Sequence, residues 1–326
     1  MLIDSFNRIH DYLRISLTDN CNLRCFYCMP EENYSFTPSS RLMQAAEIAS
    51  LAKIFVSEGV KKIRLTGGEP LVRKDASVII QSLANLPVRL AITTNATRLR
   101  ENLEVLVAAK MSSVNISLDT LRADRFQLIT RRDLFKTVYE NIGLALQAGI
   151  HVKLNMVVMK GVNEDEINDF IEWTKFEPVH VRFIEFMPFS GNKWSSEKVF
   201  TWQQMMAVIG SRYTFERMKD ELHDTSKRYS VPGHAGSFSV ISTMSAPFCD
   251  TCNRVRLTAD GKIKNCLFSK EETDLLTPFR EGKDILPLIR KSIANKARQL
   301  GGQFDTDFEH LQAANIHNRT MISIGG

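Results

Sequence analysis

All six cysteines of this 326-residue chain fall into two groups of three. The first group is Cys21, Cys25 and Cys28 (C-x3-C-x2-C), and the second is Cys249, Cys252 and Cys266 (C-x2-C-x13-C). Closely spaced cysteines in a reducing compartment are more typical of metal or cluster binding than of disulfides. We therefore predict two metal centres, one on each triplet.

The number of thiolates in each triplet bears on the kind of centre. A structural zinc ion normally has four protein ligands, so zinc would need a histidine or another borrowed residue at each triplet. Histidines are scarce, and the only one near the first triplet in sequence is His10. A [4Fe–4S] cluster held by three cysteines leaves one iron open for an exogenous ligand. Two such clusters are the favoured interpretation, and a zinc knuckle stays open for the second triplet.

Composition and charge exclude several classes of protein. Hydrophobic residues make up 44% of the chain and charged residues 24%, as in ordinary globular proteins. The net charge of +5 is mild and is not concentrated in a long run, which argues against a nucleic-acid partner but suits a small polyanion. No apolar run reaches ~18 residues, and no signal peptide is recognisable. We expect a cytoplasmic protein without a membrane partner.

Strand-like and helical segments alternate between the two triplets. Helices are predicted over 45–59, about 134–148 and about 164–176, and the first has apolar residues at helical spacing. Strands are predicted over 11–19, 61–66, 88–94, 113–119, 152–158 and 179–186. Strands that alternate with crossover helices form a parallel sheet.

Six such units are fewer than the eight of a closed barrel. We therefore predict an α/β fold in which residues 1–195 form a partial, six-unit parallel β/α barrel with the first cluster. Residues 196–326 are predicted to form a C-terminal domain with the second cluster. A doubly wound open sheet is the alternative.

One face of several predicted strands is polar, which is unusual for buried parallel strands. Alternate residues of a strand share a face. The polar positions are Arg14, Ser16, Thr18, Arg64, Thr66, Thr93, Asn95, Asn115, Ser117, Asp119, Lys153 and Asn155. A packed barrel interior would leave these groups without partners. Exposed edge strands would explain any single case, but five strands together indicate a polar, ligand-filled cavity.

A hairpin is predicted around the second triplet, where NRVRLT and KIKNC flank Ala259–Asp260–Gly261. A three-residue loop with Gly261 in the left-handed conformation pairs Thr258 with Lys262 and hence Arg254 with Cys266. Arg254, Arg256 and Cys266 would then share one face, with guanidinium groups beside the cluster.

Two motifs together resemble the radical S-adenosylmethionine (SAM) superfamily: CNLRCFYC, with Tyr27 before the third cysteine, and TGGEPLVR at 66–73. The similarity extends over nearly the whole chain to the GTP 3′,8-cyclases of molybdenum cofactor biosynthesis. It includes KKIRLTGGEPLVR, ITTNATRL, VNISLDTL, RFIEFMP, FCDTCNRVRLTADGKIKNCLFS and the terminal ISIGG. Related peptide-modifying enzymes carry a longer, seven-cysteine extension, which this chain lacks.

The resemblance implies a reaction and a set of site residues. A 5′-deoxyadenosyl radical derived from SAM would abstract the ribose 3′ hydrogen of GTP, and the C3′ radical would attack C8 of guanine. An electron and a proton would then complete 3′,8-cyclo-7,8-dihydro-GTP. Cys21, Cys25 and Cys28 would hold the SAM cluster, and Cys249, Cys252 and Cys266 the second [4Fe–4S] cluster. SAM would contact Tyr27, Gly68, Ser117 and Met187. GTP would contact Arg14, Arg64, Thr93, Lys153, Arg254 and Arg256.

The resemblance also implies partners and a role for the tail. The family ends in a double glycine, here Gly325 and Gly326, which would reach into the active site, whereas a polar tail such as 303–326 ordinarily frays. A flavodoxin- or ferredoxin-like electron donor, delivery of the product to the next enzyme of the pathway and a homodimer are also implied. A radical SAM enzyme with another substrate and a metal-stabilised binding protein without catalysis remain the alternatives.

Overall fold

The computed structural model describes residues 1–29, 34–220, 223–305 and 307–325. Strands and helices alternate through the first part of the chain, as predicted. The elements are β1 (Tyr12–Ser16), α1 (Ala45–Ser57), β2 (Lys62–Thr66), α2 (Ala76–Ala84), β3 (Arg89–Thr94), α3 (Leu99–Ala108), β4 (Ser113–Ser117), α4 (Ala123–Thr130), α5 (Phe135–Gln147), β5 (Val152–Val158), α6 (Ile167–Phe176) and β6 (His180–Glu185). All six predicted strands and the three specified helices are present.

The rest of the chain adds shorter elements. They are α7 (Trp202–Gly210), β7 (Glu216–Arg217), β8 (Lys227–Ser230), β9 (Ser237–Ile241), β10 (Arg254–Leu257), β11 (Lys262–Lys264), β12 (Thr273–Asp274), α8 (Leu276–Arg280), α9 (Leu286–Ala294) and α10 (Met321–Ile324). No helix among the described residues is long and apolar enough to cross a membrane.

A single sheet contains strands from both halves of the chain. Its order is β12-β11-β10-β1-β2-β3-β4-β5-β6-β9-β8-β7. The six predicted strands lie consecutively and in parallel, and the later strands β10 and β9 join them in parallel at the β1 and β6 edges. The partial parallel β/α barrel is therefore confirmed, and it is widened at both edges by strands of the C-terminal part.

The apolar core lies between the sheet and its helices. Leu13, Ile15, Ile63 and Leu65 are fully buried, and they belong to the same core cluster as the apolar face of α1. This packing uses one face of each strand and leaves the other face for the barrel interior. Helical crossovers thus account for the hydrophobic half of the strand pattern. Six of the predicted polar positions line a cavity, namely Arg14, Arg64, Thr93, Asn115, Lys153 and Asn155. The other six are not among its lining residues, namely Ser16, Thr18, Thr66, Asn95, Ser117 and Asp119.

The hairpin around the second triplet has the predicted register. Arg256 pairs with Lys264, and the Thr258 N–H donates to the Lys262 carbonyl oxygen at 2.9 Å. Gly261 has a φ of 72°, in the left-handed region. The predicted register is therefore confirmed within the strands, whereas the pairing of Arg254 with Cys266, which lies beyond the end of β11, stays a prediction.

The end of β2 is bound closely to the loop that precedes the first cysteine. The Gly68 N–H donates to the Thr18 carbonyl oxygen at 2.7 Å, and the next N–H, of Glu69, donates to Asn20 at 2.8 Å. A Cβ on Gly68 would lie 2.5 Å from the Asn20 oxygen and 2.6 Å from the Asp19 oxygen. Since these are backbone atoms, the loop would have to move to accept any side chain. This close contact is a packing reason for Gly68, alongside its predicted role in binding SAM.

Replacing Gly68 with alanine is therefore expected to displace the loop that leads to Cys21. We expect a lower melting temperature and a reduced iron content in Gly68→Ala. Gly143→Ala is the matched control, because Gly143 lies in α5 with no atom within 4 Å of its added Cβ. That change should stabilise the helix by up to about 1 kcal/mol. Unchanged melting and iron content in Gly68→Ala would contradict the packing argument.

Candidate active site

The barrel encloses a cavity of about 690 Å³. Cations and other polar side chains on the inner face of the sheet line much of it. All six residues predicted to contact GTP belong to its wall, namely Arg14, Arg64, Thr93, Lys153, Arg254 and Arg256. The structure thus brings together residues from β1, β2, β3, β5 and β10, as the polar strand faces predicted.

Sheet register arranges the cations on one wall in two adjacent rows. Arg256, Arg14 and Arg64 are paired across β10, β1 and β2 and form the first row. Arg254, Tyr12 and Lys62 are paired across the same strands and form the second. Since paired residues share a face, both rows face the cavity.

Tyr12 lies among the cations of this wall. The Arg64 Nε–H donates to the Tyr12 hydroxyl oxygen, and the Lys62 ammonium lies 4.7 Å from the centre of the ring. Burial alone would raise the pKa of the Tyr12 phenol, but the charges of Arg64, Arg14 and Lys62 outweigh burial and lower this pKa to about 7. The phenol therefore stabilises the neighbouring cations, and it does so most strongly when it is ionised.

The opposite wall of the cavity comes from β4, β5 and β6. Arg182 donates from Nε to Asn155 Oδ1 at 2.8 Å, and both residues line the cavity with Lys153. The buried Asn115 Oδ1, also at the cavity, has no hydrogen-bond partner among the described residues. A buried acceptor without a partner is costly, so this atom fits a polar ligand.

Three further residues line the cavity that were not predicted from the sequence, namely Lys62, Arg182 and Tyr12. A signal existed for each of them, because Lys62 and Tyr12 lie two positions before Arg64 and Arg14. Arg182 likewise alternates with His180 along β6. Period-2 alternation places these residues on the predicted polar face.

Three of the cavity cations, Arg256, Arg182 and Lys153, have a lowered pKa. Burial is the main cause in each case, and like charges nearby add to it. Burial and Arg254 lower the pKa of Arg256 to about 10, and burial and Arg64 lower that of Arg182 to about 9. Burial with Arg182 lowers the pKa of Lys153 to about 8. A polyanion would reverse these shifts, since an opposite charge favours the charged form.

The first cysteine triplet lies at the carboxyl ends of the barrel strands. It follows β1, and the Asn95 amide, just after β3, donates to Cys21 Sγ at 3.8 Å. The Tyr27 hydroxyl donates to Asp119 Oδ2 at 2.6 Å, just beyond β4. The three thiols lie close together, since Cys21 and Cys28 are near enough for their charges to raise the pKa of Cys25.

Acidic groups and burial dominate the surroundings of this triplet. Burial and Glu69 raise the pKa of the Cys21 thiol to about 11, and burial and Cys21 raise that of Cys28 to about 12. Burial also raises the pKa of the Asp119 carboxyl to about 6. A positively charged cluster core would be needed to hold these thiols as thiolates.

The second triplet lies at the opposite end of the barrel. Cys249 and Cys252 precede β10, which runs parallel to β1, and Cys266 follows the antiparallel strand β11. Both positions correspond to the amino end of the barrel strands. All three cysteines line the cavity together with Arg254 and Arg256. The cavity therefore extends from this triplet to Met187, just beyond β6, and none of the described residues that line it belongs to the first triplet.

The surroundings of the second triplet are cationic. Burial opposes ionisation of Cys252, but Arg254 and Lys296 outweigh it and lower the pKa of this thiol to about 6. The charges of Cys266 and Cys252 also act on Cys249, so the three thiols converge.

The thiol groups fit clusters better than single ions. Within the described ranges, no three His, Cys, Asp or Glu side chains are arranged to hold one metal ion. Zinc at ~2.3 Å from each sulfur would need thiolates in mutual contact, whereas each cysteine of a cluster binds a different iron. The zinc alternative for the second triplet is therefore not favoured.

The C-terminal tail ends inside the barrel. The Gly325 carbonyl oxygen accepts a hydrogen bond of 2.5 Å from Arg256 Nη1. A Cβ on Gly325 would lie 2.5 Å from Thr66 Oγ1 and 3.0 Å from the Ser16 Cβ, and its φ is 82°. The tail does not fray up to this residue, contrary to the ordinary expectation for such a polar sequence. Gly326 lies outside the described residues.

The remaining predicted SAM contacts lie near the first triplet or on the cavity wall. Ser117 ends β4, two residues before Asp119, and Met187 lines the cavity just beyond β6. Gly68 and Tyr27 lie beside the cysteine loop, as described above. Their contacts with SAM stay predictions.

Family comparisons cover most of the chain. The Radical SAM superfamily matches residues 15–174, and Molybdenum Cofactor Synthesis C matches residues 179–301. The mitochondrial GTP 3′,8-cyclase of Arabidopsis thaliana is 45% identical, over 100% of this chain and 84% of its own length. The GTP 3′,8-cyclase of Listeria welshimeri is 43% identical, over 91% of both chains.

Other relatives are longer than this chain. Human molybdenum cofactor biosynthesis protein 1 is 44% identical over 99% of this chain, which spans 51% of the human protein. The Drosophila melanogaster protein of the same name is 45% identical, and the chain spans 57% of it.

Solved structures support the fold. The crystal structure of Streptococcus suis SuiB bound to S-adenosylmethionine has a TM-score of 0.62 at 14% identity, covering 94% of this chain and 72% of SuiB. At this identity the similarity concerns the fold alone. Identity over nearly full length to two cyclases, together with the two family matches, establishes the relationship: the chain belongs to the GTP 3′,8-cyclase family of the radical SAM superfamily.

Proposed function

We propose that this chain catalyses the cyclisation of GTP to 3′,8-cyclo-7,8-dihydro-GTP, the first step of molybdenum cofactor biosynthesis. The observation that carries the proposal is the cavity lined with cations, which has the second cysteine triplet in its wall, in a barrel whose carboxyl end carries the first triplet. A cavity of this kind suits a small, highly charged substrate.

Each triplet is proposed to hold one [4Fe–4S] cluster with an open iron. SAM would bind at the cluster of Cys21, Cys25 and Cys28, and the guanine base would meet the cluster of Cys249, Cys252 and Cys266. When bound, the first cluster and SAM supply a 5′-deoxyadenosyl radical that takes the ribose 3′ hydrogen of GTP, which leads to attack of C3′ on guanine C8.

The cations of the cavity bind and orient the triphosphate. The rows formed by Arg256, Arg14 and Arg64 and by Arg254 and Lys62 present guanidinium and ammonium donors at fixed spacing. Guanidinium groups bind phosphate oxygens in bidentate fashion, which fixes orientation as well as charge. Holding the ribose in one orientation lets a single C–H bond meet the radical.

The tail is proposed to complete the wall of this site. Gly325 holds Arg256 through its carbonyl oxygen, so the tail orients a cation of the first row. Gly325 lacks a side chain, which allows the tail to pack closely against the paired Thr66 and Ser16.

A radical SAM enzyme that acts on another substrate is the second candidate. The cations argue against a neutral peptide, since their charges would remain without a counter-ion.

A flavodoxin- or ferredoxin-like electron donor, a homodimer and direct delivery of product to the next enzyme are proposed from the family resemblance. The cytoplasmic location stays a prediction as well.

The activity is tested by reconstituting the chain with iron and sulfide without oxygen and supplying SAM and a reductant. We expect 5′-deoxyadenosine to form at least tenfold faster with GTP than without it. Iron analysis should give about eight irons per chain, and about four after Cys249, Cys252 and Cys266 are all replaced with alanine. Cleavage of SAM at the same rate without GTP would exclude GTP as the substrate. Zinc in place of iron would exclude both proposed clusters.

The affinity for GTP is expected to fall as the pH rises through about 8. Lys153 has a pKa of about 8 in the free protein, and a bound triphosphate raises it. Above pH 8 binding therefore requires uptake of a proton, and Kd increases by at most tenfold per pH unit for this group. Equilibrium dialysis between pH 7 and 9 measures the effect. The increase of Kd with pH should be smaller in Lys153→Gln and unchanged in Lys160→Gln, whose lysine lies on the exposed surface. The same dependence of Kd on pH in the wild type and both variants would refute this role of Lys153.

Replacing Gly325 with alanine should lower turnover without releasing iron. The added Cβ would meet Thr66 and Ser16, and the left-handed φ costs alanine about 1 kcal/mol or more. We expect at least a tenfold loss of GTP-dependent 5′-deoxyadenosine formation. Gly233→Ala is the control, with a similar φ of 82° and no atom within 4 Å of its added Cβ. Activity of Gly325→Ala equal to that of Gly233→Ala would show that the tail is dispensable.

A further inference from the structure

A buried lysine lies directly beside the second triplet. Lys296 follows α9, and only 4% of it is exposed. Its ammonium donates to Cys252 Sγ at 3.4 Å and to the Arg254 carbonyl oxygen at 2.9 Å. None of the motifs singled out in the sequence includes this residue.

The partners of Lys296 indicate that its counter-ion is the thiolate. Within the described part of the chain, its hydrogen bonds go to a sulfur and a backbone oxygen, and no carboxylate takes part. A buried ammonium without an opposite charge is strongly unfavourable. Arg254 adds a second positive charge nearby. The Cys252 sulfur is therefore the group through which the charge of Lys296 acts on the triplet.

A buried network holds Lys296 against the triplet. Arg8 donates from Nη1 to the carbonyl oxygen of Cys249 at 2.8 Å and from Nη2 to that of Ala297 at 2.9 Å. Arg8 is itself held by Asp4, which accepts from its Nε at 2.6 Å. One side chain thus bridges the segment that carries the cysteines and the segment that carries Lys296. This bridging fixes the distance between the ammonium and the sulfur.

Among the described residues, no cationic side chain donates to a sulfur of the first triplet; the nearby Arg24 binds the Cys21 carbonyl oxygen instead, and its charge lowers the Cys21 pKa less than burial and Glu69 raise it. The side-chain donor to Cys21 Sγ is the neutral Asn95 amide, at 3.8 Å. The carboxyls of Glu69 and Asp119 are the charged groups that act most on Cys21 and Cys25. The two cluster sites therefore differ in the sign of the charge that surrounds them.

We propose that Lys296 is a positioning residue that tunes the second cluster through its hydrogen bond to Cys252 Sγ. Its charge holds this cluster at a more positive reduction potential, because a cation stabilises the more negative, reduced form. It also withdraws electron density from the thiolate, which makes the open iron a stronger acceptor for a nitrogen or oxygen donor of the substrate. The inference rests on the proposed assignment of Cys249, Cys252 and Cys266 as cluster ligands.

A redox titration of the reconstituted full chain, followed by electron paramagnetic resonance, tests the proposal. A variant with Cys21, Cys25 and Cys28 replaced by alanine identifies the signal of the second cluster. Lys296→Met removes charge and donor, Lys296→Gln keeps a donor without charge, and Lys296→Arg keeps both. Lys291→Met, on the exposed side of α9, is the matched control.

We expect the midpoint potential of the second cluster to become more negative in Lys296→Gln and most negative in Lys296→Met. It should stay near the wild-type value in Lys296→Arg and Lys291→Met. The concentration of GTP that perturbs this signal should rise about tenfold in Lys296→Met. If Lys296→Met does not fold, the midpoint potentials of Lys296→Arg and Lys296→Gln test the proposal, which requires that of Lys296→Gln to be the more negative.

Two outcomes would overturn the proposal, and they are distinguishable. If Lys296→Gln keeps its iron and has the wild-type midpoint potential, Lys296 does not tune the cluster, and its role is limited to the hydrogen bond with the Arg254 carbonyl oxygen. Absence of any cluster signal from the variant that lacks the first triplet, while the wild type shows one, would overturn the assignment of the second cluster and the Lys296 proposal with it.

Discussion

Mutual repulsion among cations buried in one cavity is the constraint on which this structure depends. Arg256, Arg14 and Arg64 occupy paired positions on adjacent strands, which lie ~4.8 Å apart in a sheet. No flexible loop would hold three guanidinium groups so close together without an anion. The sheet does so because its opposite face is buried against the helices, and that apolar packing offsets the repulsion. The cavity is thus prepared for a polyanion before one arrives.

The direction of the strands then determines where the two cysteine triplets can act. The first triplet follows β1 and lies at the carboxyl ends of the strands, the usual end for the active sites of β/α barrels. The second precedes β10 and lies at the amino end, because β10 runs parallel to β1. A substrate in the cavity can therefore contact the second centre directly, and the first centre lies toward the other end of the same barrel. The parallel addition of β10 makes a single site out of two distant segments.

Periodicity in the sequence was sufficient to predict the six strands, their parallel order and the polar face of the barrel. Pairing of β9 and β10 with the barrel edges could not be predicted, since it depends on contacts between residues far apart in the chain. Tyr12 was missed because an aromatic residue in a strand normally belongs to an apolar core, whereas here it lies among cations. Lys296 was missed because no sequence pattern links it to Cys252, and only folding brings the two together.

The different charges around the triplets match the different tasks that the proposed clusters perform. The first cluster must be a strong reductant, and nearby carboxyl groups such as Glu69 and Asp119 disfavour added negative charge on its ligands. The proposed task of the second cluster is to bind the guanine base. Cations such as Lys296 and Arg254 make its open iron a better acceptor for a donor atom of that base. Since both proposed clusters lie on one barrel, an electron is best used if only the first centre passes it on. Opposite electrostatic surroundings achieve this separation without any change in the cysteine ligands themselves.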